Sequence, residues 1–130
     1  MNVSGAPTGS HPDNRTERIL TDMLTFADEI DAYVISLGEQ NFHDHRQTQL
    51  VAEALLHRIG EAVSRLDADF IAINPEVEWL KMKRMRNVVA HEYGFIDYRI
   101  VWRALTDALP RDVAEIRRIL GRREEPFNSS

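Results

Sequence analysis

Apolar residues recur every three or four positions along most of this chain, a period that can be buried only by packing helices against one another. The stripe is plainest in Ile19, Leu20, Met23, Leu24, Ala27, Ile30, Val34 and Leu37. Asn14 followed by Glu17 predicts a capping box at its start, and Gly38 a stop at its end. A polar connection, Glu39 to Asp44, leads to a second stripe of Val51, Leu55, Ile59, Ala62, Val63 and Leu66. Gly60 lies inside that stripe, where it costs ~1 kcal/mol relative to Ala, so a crossing helix is expected to approach its backbone closely.

After a loop over 67–73, Asn74, Pro75 and Glu76 predict an N-cap, a first-turn proline and an acid suited to the positive end of a third helix. Val77, Leu80, Met85, Val88 and Val89 supply its buried face, and Gly94 its end. Asp97 can cap a fourth helix carrying Ile100, Val101, Ala104, Leu105 and Ala108. Pro110 should break or kink that helix, and a fifth segment follows with Val113, Ile116 and Leu120, closed by Gly121. The expected fold is all-α: an up-and-down helical bundle of about five helices, with the first two long helices antiparallel. Residues 1–13, rich in Gly, Pro, Ser, Thr and Asn, predict a flexible tail, 14–121 one domain, and 122–130 a second flexible tail.

The 130 residues are 43% hydrophobic, enough for one globular core. With no cysteine there is no disulfide, thiol nucleophile or thiolate metal site to invoke. No apolar run approaches the ~20 residues of a membrane span, and the amino terminus lacks a signal peptide's basic and apolar segments. A cytoplasmic protein without a membrane partner is the expectation. The net charge of -5 gives no global attraction for phosphate backbones, so any RNA contact must rest on a local cluster of cations.

Such a cluster stands in the third helix, where Lys81, Lys83, Arg84 and Arg86 run into Asn87, His91 and Tyr93. Arg presents a planar fork to phosphate, and His gives and takes protons near neutral pH, so the pair has the parts to cleave a phosphodiester without a metal or other cofactor. At about 100° per residue, Arg86 and Tyr93 share a helix face, whereas His91 points roughly 140° away from Arg86. Convergence therefore requires either a distorted helix near Gly94 or two copies facing each other across a symmetric seam, and the homodimer is the preferred expectation.

Arg86, four residues, His91, one residue, Tyr93 resembles the HepT form of the motif of HEPN ribonucleases, with Asn87 fitting the family's Arg-Asn start. Further matches are Ile59-Gly60-Glu61-Ala62, Trp79, and the Phe95-Ile96-Asp97 to Val101-Trp102 continuation, so the likeness to HepT-like toxins spans about 15–120. The resemblance implies a homodimeric, metal-independent endoribonuclease toxin, held in check by an MntA-type nucleotidyltransferase antitoxin that attaches AMP to Tyr93. It casts Arg86 and His91 as catalytic, Asn87 and Glu61 as supporting, and RNA as the substrate; Lys81, Lys83 and Arg84 are expected to bind its phosphates.

Plainer readings stand beside these. Arg86 paired with Glu61, and His91 merely ending a helix, would be structural. Glu53, His57 and Glu61 stand at four-residue steps and could present metal ligands along one face, but no Glu-x-x-His or His-Glu-x-x-His run accompanies them. His43, Asp44 and His45 read as a solvated turn, and Arg117, Arg118, Arg122 and Arg123 as cations at the negative end of the last helix. Trp79 and Trp102 read as core or seam aromatics. No serine stands in a strand-to-helix elbow, and there is no glycine-rich phosphate loop. Two functions compete: a ribonuclease, and a catalytically silent HEPN scaffold that binds a nucleotidyltransferase or nucleotide.

Overall fold

The computed structural model describes residues 12–90 and 96–121, without the side chains of 87–90. The two terminal tails and the expected stop at Gly94 lie outside the described residues, except that 12 and 13 are described. Among the described residues every regular element is helical: α1 (Asn14–Tyr33), a 3₁₀ turn (Ile35–Leu37), α2 (Glu39–Asp44), α3 (Arg46–Ser64), α4 (Ala68–Ile73), α5 (Trp79–Ala90), α6 (Tyr98–Arg103), a π-helical stretch (Ala104–Ala108) and α7 (Leu109–Gly121). The chain is all-α, as its apolar period requires. None of these helices is long and apolar enough to cross a membrane.

The first helix starts one residue earlier than its cap was expected. Asp13, not Asn14, is the N-cap: its carboxylate accepts the Thr16 N–H at 2.8 Å, and that bond holds its pKa below the ordinary carboxylate value. Gly38 does mark a stop, with the one positive φ among the described glycines, +92°, but α1 has already ended and a 3₁₀ turn fills the interval.

Two segments expected to be irregular are short helices. In the connection after Gly38, Phe42 is fully buried and Thr48 donates to Asn41 at 2.7 Å, so α2 is fastened to the core and to α3. In the 67–73 loop, Phe70 and Ile71 pack against the core, which gives α4 an apolar side.

The third long helix begins later than Asn74-Pro75-Glu76 suggested. Asn74 follows α4 instead, almost wholly buried, its amide donating to the Phe70 carbonyl at 3.0 Å while its own carbonyl accepts Trp79 Nε1 at 2.8 Å. With that turn consuming four residues, α5 starts at Trp79, and Trp79 and Met82 take the buried positions. Leu80 is left 61% exposed, against expectation, and Ile100 is likewise 60% exposed.

Pro110 does not separate a fourth from a fifth helix. Helical structure runs unbroken from Tyr98 through Gly121, and the π-helical stretch lies just before the proline. The wider i→i+5 turn accommodates the local change of register at a residue that has no N–H to give.

Arg15 at the start of α1 donates to the Arg65 carbonyl beyond α3 at 2.7 Å, and Arg58 of α3 lies over the Phe26 ring of α1. The two helices thus run antiparallel. Leu20, Ile30, Ile59, Val63, Leu105, Ile116 and Ile119 fill the space between α1, α3 and the 98–121 helix, and α5 lies along α3. Trp102 packs on Phe42, with centroids 5.3 Å apart, and Trp79 on Phe70 at 5.7 Å, so both tryptophans are packing residues.

Candidate active site on α3 and α5

The site is built where α5 crosses α3. A Cβ placed on Gly60 would lie 2.5 Å from the Arg86 Cβ and 3.3 Å from the Met82 carbonyl oxygen, so the two helices meet at a distance that only glycine permits. The expected crossing helix is therefore α5, and the residue pressed against the glycine is Arg86.

That approach sets the polar contact beside it. Arg86 Nη1 donates to Glu61 Oε2 at 3.1 Å, with the Arg86 side chain 24% and the Glu61 side chain 45% exposed. One turn earlier on α3, His57 Nε2 lies 3.9 Å from the same Glu61 oxygen, with its side chain 46% exposed. A guanidinium and an imidazole thus flank a single carboxylate at the surface. Sequence reasoning considered His57 only as a metal ligand; its four-residue step to Glu61 was the signal that could have placed it here.

The start of α5 is fixed by a carboxylate from another helix. Asp112 of α7 is 5% exposed and accepts the Glu78 N–H at 3.1 Å, which satisfies a backbone donor at the head of α5. Burial pushes the Asp112 pKa above the ordinary carboxylate value, and the Glu78 bond only partly opposes that.

The cations expected to bind RNA do not share one face. Lys81 and Arg84 line a cleft of about 550 Å³ between α5 and α7, whose walls include Leu56, Ile59, Met82 and Leu109, while Lys83 is half-buried and apart from it. Lys81 also lies 3.8 Å from Glu78. The Asn87 side chain, His91 and Tyr93 lie outside the described residues. Among the described residues, no three of His, Asp and Glu come close enough to hold a metal ion.

Beyond the motif, Tyr98 at the head of α6 donates to the Glu53 carboxylate of α3, and Arg46 donates to the Tyr98 hydroxyl at 2.7 Å and to Glu53 at 3.2 Å. Burial, then the Glu53 contact, raises the Tyr98 pKa. Glu53 is therefore held in a cluster with Tyr98 and Arg46, and not with His57 and Glu61 as a ligand set. Nothing in the spacing of Arg46, Glu53 and Tyr98 predicted this, since the tyrosine is 45 residues from its carboxylate. Asp97 caps α6 as expected, its carboxylate accepting the Arg99 N–H at 3.0 Å.

A family model described as "Ribonuclease HepT-like" matches residues 23–119, most of the chain and all of this site. The chain belongs to the HepT-like family. It is 32% identical over 109 residues to "Putative RNase MJ0127" of Methanocaldococcus jannaschii, covering 84% of this chain and 90% of that one. It is 29% identical over 91 residues to "Probable ribonuclease HepT" of Thermococcus cleftensis, covering 70% and 83% of the two chains. No solved structure matches it. Membership of the HepT-like family supports ribonuclease activity in general terms, and places the Arg86 motif and its α3 partner within the matched region.

Proposed function

We propose that this protein is a metal-independent endoribonuclease toxin, cutting RNA at a cleft shared by two copies of the chain. The observation that carries this reading is the Arg86 guanidinium held by Glu61 at 3.1 Å, half-open to solvent, at the helix crossing that Gly60 makes possible. Arg86 stabilises the charge that builds on phosphorus, and His91 takes the proton of the attacking 2′-hydroxyl. Asn87 orients the phosphate, and Lys81, Lys83 and Arg84 hold neighbouring phosphates of the strand. Because the nucleophile is the 2′-hydroxyl, the substrate is RNA and not DNA, EDTA does not inhibit, and the product ends in a cyclic phosphate.

Regulation follows from Tyr93. A nucleotidyltransferase antitoxin of the MntA type moves AMP from ATP to the Tyr93 phenol, with pyrophosphate leaving. Seven residues past Arg86 on a helix is nearly the same face, so the added phosphate would meet the guanidinium and occupy the place of the RNA phosphate.

The test is expression of wild type, Arg86→Ala and His91→Ala without antitoxin, with growth and RNA integrity followed. Arrested growth and cut RNA for wild type alone are expected. Equal growth with intact RNA for all three would favour the second reading, a silent scaffold for a nucleotidyltransferase, which the net charge of -5 supports. The mass in solution checks the shared cleft, and mass spectrometry after co-expression with a nucleotidyltransferase checks Tyr93.

A further inference from the structure

The reaction proposed above has two proton transfers, one from the 2′-hydroxyl and one to the departing 5′-oxygen, and the motif contributes a single imidazole per chain. The structure sets a second one beside Arg86. His57 Nε2 and Arg86 Nη1 approach the same Glu61 oxygen, at 3.9 and 3.1 Å, and the imidazole is 46% exposed. The longer contact exceeds hydrogen-bond length and acts as an ion contact when the ring is protonated.

The charged groups around His57 are few. On α3, Glu53 one turn earlier is engaged by Tyr98 and Arg46, which leaves Glu61 one turn later as the carboxylate facing the ring, and α5 adds Arg86. Glu61 thus orients both groups. With Nε2 turned toward Glu61, Nδ1 remains for substrate. A phosphate that replaces or bridges this arrangement meets the guanidinium on one side and the imidazole on the other.

We propose that His57 is a further catalytic residue, the general acid for the leaving 5′-oxygen, resting on the ribonuclease reading. As the 2′-oxygen bonds to phosphorus, its proton passes to His91. The bond from phosphorus to the 5′-oxygen breaks, and that oxygen takes a proton from the His57 imidazolium. The products are a 2′,3′-cyclic phosphate and a 5′-hydroxyl end, with no water, metal or redox reagent consumed.

The experiment compares wild type, His57→Gln and Arg86→Ala on a short RNA with one ordinary linkage, and on the same RNA with sulfur replacing the bridging 5′-oxygen. A thiolate leaves without needing a proton, so loss of a general acid is felt only on the ordinary linkage. His57→Gln is expected to slow the ordinary RNA about 100-fold and to cut the sulfur-bridged RNA at nearly the wild-type rate. Arg86→Ala is expected to fail on both. Wild-type rates for His57→Gln on ordinary RNA, or equal losses on both substrates, would overturn the role of His57 while leaving the ribonuclease reading standing. Wild type inactive on both substrates would overturn the two together. Because the ring is half-exposed, the Gln variant should fold normally, which circular dichroism checks.

Discussion

Gly60 and Arg86 meet so closely that a methyl group on the glycine would lie 2.5 Å from the arginine Cβ, next to the carboxylate that receives the guanidinium. The clash is with atoms near the backbone, which cannot swing aside as a side-chain tip can. Gly60→Ala should therefore destabilise the protein by about 1–3 kcal/mol through overpacking, outweighing the ~1 kcal/mol that Ala gains in a helix. Chemical denaturation measures the first quantity. An Ala variant as stable as wild type would show that α5 does not sit this close.

Glu61→Gln keeps the shape of the side chain and removes its charge. As both partners of the ion pair are partly exposed, stability should change by under about 1 kcal/mol. RNA cleavage should fall more, roughly 10- to 100-fold, because Arg86 loses the group that aims it. A variant with full activity would assign Glu61 no part in the reaction.

Tyr98→Phe retains the edge contact with Phe42, whose centroid is 5.7 Å away, but removes the hydroxyl between Arg46 and Glu53. Glu53, with a side chain 14% exposed, keeps only Arg46. A loss of about 1–3 kcal/mol is expected, read as a lower melting temperature. Tyr98→Phe melting with wild type would show that this cluster is not stabilising.

Asp112→Ala should cost about 1–3 kcal/mol, because the Glu78 N–H at the head of α5 loses its acceptor. Asp112→Asn keeps an acceptor oxygen and discards the buried charge, so it should melt higher than wild type at pH 7. The pH dependence has a definite sign. The folded-state pKa of Asp112 is raised, so the folded protein binds more protons than the unfolded chain between the unfolded pKa and the higher folded one. This group's contribution to stability therefore falls as pH rises through that window, and the advantage of the Asn variant should shrink on acidification. An advantage that grew on acidification would contradict the raised pKa.

How much of this was visible in the sequence depends on the range of the interaction. Helical spacing located α1 and α3, and Gly60 announced a close crossing, because both signals are local. The start of α5 was misplaced because Asn74 and Pro75 look like a helix opening, whereas Asn74 is occupied by the Phe70 carbonyl and the Trp79 indole. Leu80 and Ile100 were assigned inward because a stripe read from the wrong starting residue rotates with it. The Arg86 to Glu61 pair was anticipated as a plain structural contact; that His57 shares its carboxylate was not, since spacing alone does not tell which of two neighbours a carboxylate will serve. Long-range groups such as Asp112 on Glu78 left no local trace.

The bulged stretch Ala104–Ala108 acts as a rotary joint between two rigid rods. Val101, Leu105 and Leu109 all point inward at consecutive four-residue intervals, although on an ordinary helix each such interval overshoots a full turn by about 40°. Trimming one residue there would restore ordinary winding and swing everything beyond it by about 100°, carrying Ile116 and Ile119 out of the interior and Asp112 away from the head of α5. Chain length at this point is thus under tighter constraint than side-chain identity, and single-residue deletions should be far more harmful here than substitutions among the exposed positions of the same stretch.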